Sequence, residues 1–148
     1  MRLWRISEHL SLDGGGGLIS AGRWHREGRP IVYFAEASAL AMLEVMVNTE
    51  STEPPGTFQL IAISAPDQLE VTHWPADQDG GDRVLTSDWG DAFLRSMGAP
   101  LARVPSIVAP ESWNYLFNPL HPDAERVVIE RSARWQWDPR LFGRERGG

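Results

Sequence analysis

An α+β fold, built as one domain over residues 1–148, is what this sequence predicts. Three observations carry the expectation. The chain is long enough to bury a real core but short for two. β-branched and aromatic runs of strand length outnumber helical patterns. The two kinds of element are mixed in order, where a doubly wound parallel sheet would need strict alternation.

Taken in order, residues 2–6 read as a short strand, with Leu3 and Trp4 set among arginines. Residues 12–28 are glycine-rich and read as loop or turn, including the run Gly14-Gly15-Gly16-Gly17. Ile31-Val32-Tyr33-Phe34 has the content of a strand. Ser38 stands where it would cap a helix reaching about Asn48, and Pro54-Pro55 closes the loop 49–56 that follows. Residues 57–64 alternate as a strand, and 68–72 suggest a further one. The Asp, Gly and Pro content of 74–82 makes a loop, after which Ser87 or Asp88 opens a helix through Met97. Residues 103–109, punctuated by Pro105 and Pro110, suggest a short strand at a bend. Residues 113–117 read as a helical turn ended by Asn118-Pro119, and 125–130 and 133–137 as two late strands.

Composition removes several classes of function. There is no cysteine, hence no disulfide, thiolate metal site or cysteine nucleophile. There is no lysine either: all 14 basic residues are arginine, which excludes a Walker-type phosphate loop, a Schiff-base lysine and a lysine general base. An anion would be held by arginine forks or backbone N–H groups. A net charge of −6 argues against generic nucleic-acid binding. The apolar stretch 40–47 is too short to cross a bilayer and carries Glu44. The N-terminus reaches polar residues and glycines before any apolar block, so no targeting peptide and a cytoplasmic protein are expected.

Four positions stand out chemically. Glu44 falls on the helical face of Leu40, Leu43 and Val47, in a segment apolar nearly all round. A carboxylate there is costly unless it has a task, an arginine partner or access to water. In Gly22-Arg23-Trp24, glycine lets backbone approach a ligand while a planar fork grips phosphate; stacking of a surface Arg23 on Trp24 is the plainer alternative. Tyr33 and Phe34 point to opposite faces of their strand, so one aromatic is free to stack on a ligand ring or pack in the core. Ser106 lacks the G-x-S-x-G frame of a nucleophile elbow. The four histidines show no metal-ligand spacing, so no metal is expected; His121 reads as a loop organiser beside Asn118. Among 7 tryptophans, Trp135 and Trp137 lie two apart on a strand and are candidates for a partner surface.

Read together, these segments resemble the RES family, the toxin half of bacterial Xre–RES toxin–antitoxin pairs. The resemblance runs from Arg5 to about Leu141, through Trp4-Arg5-Ile6-Ser7, Gly22-Arg23-Trp24 with Gly28, Val32-Tyr33 and Leu40-Ala41-Met42-Leu43-Glu44-Val45. It continues through Arg103-Val104-Pro105-Ser106, Asn114-Tyr115-Leu116-Phe117-Asn118-Pro119 with His121-Pro122, and Trp137-Asp138-Pro139-Arg140-Leu141. Arg23, Tyr33 and Glu44 follow one another at spacings of ten and eleven residues. The arginine, glutamate and serine that name the family map onto Arg23, Glu44 and Ser106, with Tyr33 as the accompanying tyrosine. Asn48 departs from the histidine often found after the helix, and 68–87 differs from the family pattern.

The resemblance implies a split, mixed β structure like that of diphtheria-toxin-type ADP-ribosyltransferases, with NAD⁺ held in a central cleft. The implied reaction is rupture of the nicotinamide–ribose bond. Nicotinamide is already a cationic leaving group, so one carboxylate, Glu44, suffices to stabilise the oxocarbenium-like ribose. Arg23 would hold pyrophosphate or ribose, with Arg5 as a second anion contact. Tyr33 would stack on nicotinamide, and Ser106 would hydrogen-bond the nicotinamide–ribose end without acting as nucleophile. Water, phosphate or a protein side chain would each serve as acceptor, and the sequence leaves these three open. A cognate Xre-type antitoxin is the expected partner and a homodimer within that complex is compatible, with no direct nucleic-acid contact. Two other classes remain: a module that binds NAD⁺ or ADP-ribose without cleaving it, and a protein-interaction domain.

Overall fold

A computed structural model describes residues 1–49 and 56–142. Its centre is a seven-stranded sheet in the order β4-β5-β6-β2-β1-β3-β7. The strands are β1 (Arg2–Ile6), β2 (Val32–Ala35), β3 (Thr57–Ser64), β4 (Val71–His73), β5 (Leu101–Pro105), β6 (Trp113–Phe117) and β7 (Val128–Gln136). Only β4 and β5 run parallel; every other neighbouring pair is antiparallel. The expected α+β class with a mixed sheet holds.

Strand alternation divides the sheet into two faces. On one, Leu3, Val32, Phe34, Ile61, Leu101 and Phe117 form the main core, closed over by Leu12, Ala65, Leu69 and Val127. Phe34 and Phe117 stack across β2 and β6 at 5.5 Å between ring centres. On the other face, Trp4, Ile6 and Ala35 receive Leu40 and Ala41 of helix α2 (Ser38–Val47). Beside them Ala102, Val104 and Leu116 receive Phe93 and Leu94 of helix α3 (Arg83–Ser96). Each large apolar side chain among them contributes about 1.5–3 kcal/mol from its removal from water, the alanines less. The candidate site lies on this helix-covered face.

Several elements differ from the sequence expectation. Within the glycine run the chain makes one helical turn, α1 (Gly16–Ile19), and Gly17 packs so closely on the Arg29 carbonyl that a side chain would clash. Ala37, not Ser38, precedes the first turn of α2, and no side chain caps it. Nor is α2 buried all round: Leu43 is 40% exposed and Val47 58%, because one side of the helix faces away from the sheet. β4 begins at Val71 because 66–69 forms a turn closed by the Leu69 N–H on the Pro66 carbonyl.

Helix α3 starts at Arg83, ahead of Ser87 and Asp88, because Asp82 caps it: its Oδ1 accepts from the N–H groups of Val84 and Leu85 at 2.9 and 3.2 Å. Residues 113–117 are not helical; they are the strand β6, paired on both sides by β5 and β2. The two late strands are one, which starts only at Val128 because Ala124–Arg126 forms a 3-10 turn. Ala62 faces Arg131 and Ile63 faces Ile129, so Glu130 is the extra residue of a bulge that interrupts the alternation without ending the strand. Trp137 lies beyond β7 and is buried against Phe58, while Trp135 is 57% exposed, so the two tryptophans do not form one surface. Residues 50–55, with the Pro54-Pro55 stop, lie outside the described part.

The loop after β6 behaves as read. Asn118 is fully buried, its Oδ1 accepting from Leu120 N–H at 3.0 Å and its Nδ2 donating to the Leu94 carbonyl at 3.1 Å. His121 Nδ1 accepts from the Asp123 N–H at 3.0 Å.

Candidate functional site

Glu44 sits between Leu40 and Ala41 around the α2 axis, within the stripe that meets the sheet. Leu43, on the outer side, does not share that face. One carboxylate oxygen, Oε1, accepts two hydrogen bonds: from Ser106 Oγ at 2.9 Å and from Asn114 Nδ2 at 2.8 Å. Among the described residues, no arginine pairs with Glu44, and Oε2 has no protein partner. The carboxylate is half-buried and fixed in orientation by two neutral donors on one oxygen, with no described partner on the other.

Ser106 follows β5 and is itself held on three sides. Its N–H donates to the Ser112 carbonyl at 2.8 Å, and its Oγ accepts from the N–H groups of Val108 and Ala109 at 3.2 and 3.1 Å. The hydroxyl thus donates to the Glu44 carboxylate while its lone pairs accept from two backbone amides, which fixes its orientation toward Glu44.

Tyr33 of β2 faces the same side of the sheet. It pairs with Leu116, and Ala35 pairs with Asn114, so Tyr33 and Asn114 are diagonal neighbours on one face. The Tyr33 hydroxyl lies 2.6 Å from His25 Nδ1, and His25 Nε2 lies 2.8 Å from the Ser20 carbonyl. Burial pushes the Tyr33 phenol well above the ordinary tyrosine range; the Trp24 N–H on its oxygen opposes the shift, and Asp91 adds to it.

Arg23 is placed by α3. Its carbonyl accepts from Thr86 Oγ1 at 2.6 Å and Ser87 Oγ at 3.3 Å. Gly90 lies directly against the Trp24 backbone, where a side chain would collide with the Trp24 carbonyl. Arg26 completes the clamp, pairing with Asp88 at 2.7 Å and Asp91 at 3.0 Å. Trp24 does not stack under Arg23; it is buried edge-to-face with Trp74 and Trp89 at 5.0 and 6.0 Å. The guanidinium of Arg23 makes one long contact, Nη1 to the Gly80 carbonyl at 3.4 Å, and keeps most of its donors free of described partners. A Cβ on Gly80 would stand 3.1 Å from Pro105 and 3.4 Å from Ile107, the residues flanking Ser106, so the Gly80 loop lies beside that segment.

Arg5 is not brought to this cluster. It alternates with Trp4 and Ile6, which meet α2, so it projects from the opposite face, where its Nη1 donates to the Ser11 carbonyl at 3.1 Å. Burial lowers its pKa, with Asp13 partly offsetting the shift. The structure thus joins Glu44 directly to Ser106, sets Tyr33 on the same face of the sheet, links Arg23 to the neighbouring Gly80 loop, leaves out Arg5, and adds two residues not singled out from sequence: Asn114 on Glu44 and His25 on Tyr33. Asn114 was legible only as part of a motif, since its parity on β6 depended on recognising that strand. His25 had no local signal at all. Among the described residues no group of His, Asp or Glu could hold a metal ion, and no helix is long and apolar enough to cross a membrane.

The same fold is found in a solved toxin–antitoxin complex. A chain in the crystal structure of the M. tuberculosis MbcT–MbcA toxin–antitoxin complex superposes with a TM-score of 0.70 at 17% identity, covering 95% of this chain and 85% of that one. The RES domain matches residues 2–138, and the chain belongs to the RES domain family. A protein called Toxin Res from Pseudomonas putida is 44% identical over 146 residues, 96% of this chain and 100% of the relative. The Prs ADP-ribosylating toxin of a Sphingobium species is 36% identical over 156 residues, 94% of this chain and 95% of the relative.

Proposed function

We propose that this protein is the toxin of a toxin–antitoxin pair and cleaves the nicotinamide–ribose bond of NAD⁺. The observation that carries this reading is the held carboxylate: Glu44 Oε1 is anchored by Ser106 and Asn114, while Oε2 has no described partner. As nicotinamide departs, positive charge grows on the ribose, and a fixed anion beside it stabilises the transition state more than the ground state. Ser106 and Asn114 keep that anion from turning away. Tyr33 offers a ring against which nicotinamide stacks. Arg23, on a backbone clamped by α3, offers a planar fork to the pyrophosphate. A module that only binds NAD⁺ has no use for so constrained a carboxylate.

The ADP-ribosyl group passes to water, phosphate or a protein side chain; the name of the Sphingobium relative favours a protein acceptor. The partner is a cognate antitoxin of the Xre type, and the setting is the cytoplasm. The test is nicotinamide release from NAD⁺ by purified protein, with buffer alone, with phosphate and with cell lysate. Free ADP-ribose, ADP-ribose 1-phosphate or labelled protein then names the acceptor. No release by folded protein under any of the three conditions refutes the proposal.

A further inference from the structure

We infer that His25 is a positioning residue for Tyr33, locking the ring that holds the departing nicotinamide; this rests on the reading of Tyr33 proposed above. His25 is only 4% exposed, and a buried polar ring is costly unless both nitrogens are satisfied. They are, by partners of different kinds. The Ser20 carbonyl, 2.8 Å from Nε2, can only accept, so Nε2 carries the proton. Nδ1 of the neutral ring is then a bare acceptor, and the Tyr33 hydroxyl donates to it at 2.6 Å. The Tyr33 oxygen also accepts the Trp24 N–H at 3.4 Å. The hydroxyl is committed as donor and as acceptor, so the ring is what Tyr33 offers a ligand.

The surrounding backbone is shaped to this contact. Gly22 N–H donates to the His25 carbonyl at 3.1 Å, and a Cβ on Gly22 would lie 2.7 Å from the Tyr33 hydroxyl and 3.0 Å from His25 Cε1. Glycine at position 22 is what allows the two rings to meet. The segment is also held without the His25 side chain, through Thr86 and Ser87 on the Arg23 carbonyl and Asp91 on the Arg26 N–H. Removing the imidazole therefore frees Tyr33 before it frees the loop.

The test is a double-mutant cycle on nicotinamide release, using His25→Leu, His25→Asn and Tyr33→Phe, with melting temperatures recorded. His25→Leu and Tyr33→Phe should each lower kcat by roughly tenfold or more, with a smaller change in KM. The double variant His25→Leu/Tyr33→Phe should be no worse than either single one, because both break the same bond. His25→Asn, which retains an acceptor near the Nδ1 position, should recover most of the rate. Losses that multiply, or a His25→Leu enzyme with wild-type kcat, overturn the inference. Nitrogen chemical shifts of ¹⁵N-labelled histidine provide a second readout independent of turnover. They should report the Nε2–H tautomer and an Nδ1 shift that changes in Tyr33→Phe; the opposite tautomer, or no change, overturns the inference. A wild type inert toward NAD⁺ refutes the proposed function instead, and the shifts then decide the His25–Tyr33 contact by themselves.

Discussion

Asn114→Ala isolates one of the two bonds that hold the carboxylate. Asn114 donates to Glu44 Oε1 at 2.8 Å, and Ser106 supplies the other donor at 2.9 Å. A hydrogen bond to a charged group is worth about 1.5–3 kcal/mol. If that energy serves to hold Glu44 beside the ribose, its loss appears in the transition state and lowers kcat by roughly 10- to 150-fold, at about 1.4 kcal/mol per tenfold. NAD⁺ affinity should change far less, since Asn114 touches the carboxylate and not the pyrophosphate. Asn114 is the second residue of β6, with backbone pairs to β2 and β5 that the substitution leaves intact, so the fold should survive. The assay is steady-state nicotinamide release alongside NAD⁺ titration calorimetry and thermal denaturation. A folded Asn114→Ala protein with wild-type kcat would show that anchoring Oε1 is irrelevant, and the mechanism would lose its geometric basis.

Other substitutions probe the rest of the site. Arg23→Lys keeps the charge but loses the planar fork, so KM for NAD⁺ should rise about tenfold or more with a smaller change in kcat; an unchanged KM would remove Arg23 from pyrophosphate binding. Gly90→Ala forces a side chain into the Trp24 carbonyl and should cost about 1–3 kcal/mol of stability, read as a lower denaturant midpoint together with reduced activity through the displaced Arg23 segment. The raised pKa of Tyr33 has a defined sign. The folded state keeps the phenol proton where the unfolded chain releases it, so this stabilising contribution is complete below the ordinary tyrosine value of about 10 and is lost as pH climbs above it. Denaturant midpoints at pH 9 and pH 11 should fall further for wild type than for Tyr33→Phe; equal falls would contradict the burial of the phenol.

Much of the fold was written in local pattern. β1, β2 and β3 each carry enough β-branched or aromatic residues to declare themselves within a few positions of their observed bounds. β6 did not, because five residues followed by Asn118-Pro119 fit a helical turn as well as a strand, and pairing with β5 and β2 decides between them. The bulge at Glu130 shifted the alternation of β7 by one residue and so looked like a break between two strands. The start of α3 was hidden because Asp82, its cap, sits in a run of Asp and Gly that reads as loop.

The candidate site was legible only in part. A carboxylate on an apolar helix and an arginine after a glycine are local oddities, but each also fits a plain structural role, and it is the family resemblance that draws Glu44 and Arg23 together as candidates. Asn114 and His25 carry no local signal, because only tertiary structure brings them against Glu44 and Tyr33 respectively. Arg5 shows the converse: proposed as an anion contact, it alternates with Trp4 and Ile6 on β1 and so projects from the opposite face of the sheet.

The central claim is that the Glu44 carboxylate stabilises the charge formed as nicotinamide leaves. The measurement that tests it most directly is single-turnover nicotinamide release by wild type and Glu44→Gln, with NAD⁺ binding measured on both. Glutamine keeps the shape and an oxygen for Ser106 and Asn114 but removes the charge, so release should fall at least about a hundredfold while binding changes little. Equal release rates from the two folded proteins would contradict the account.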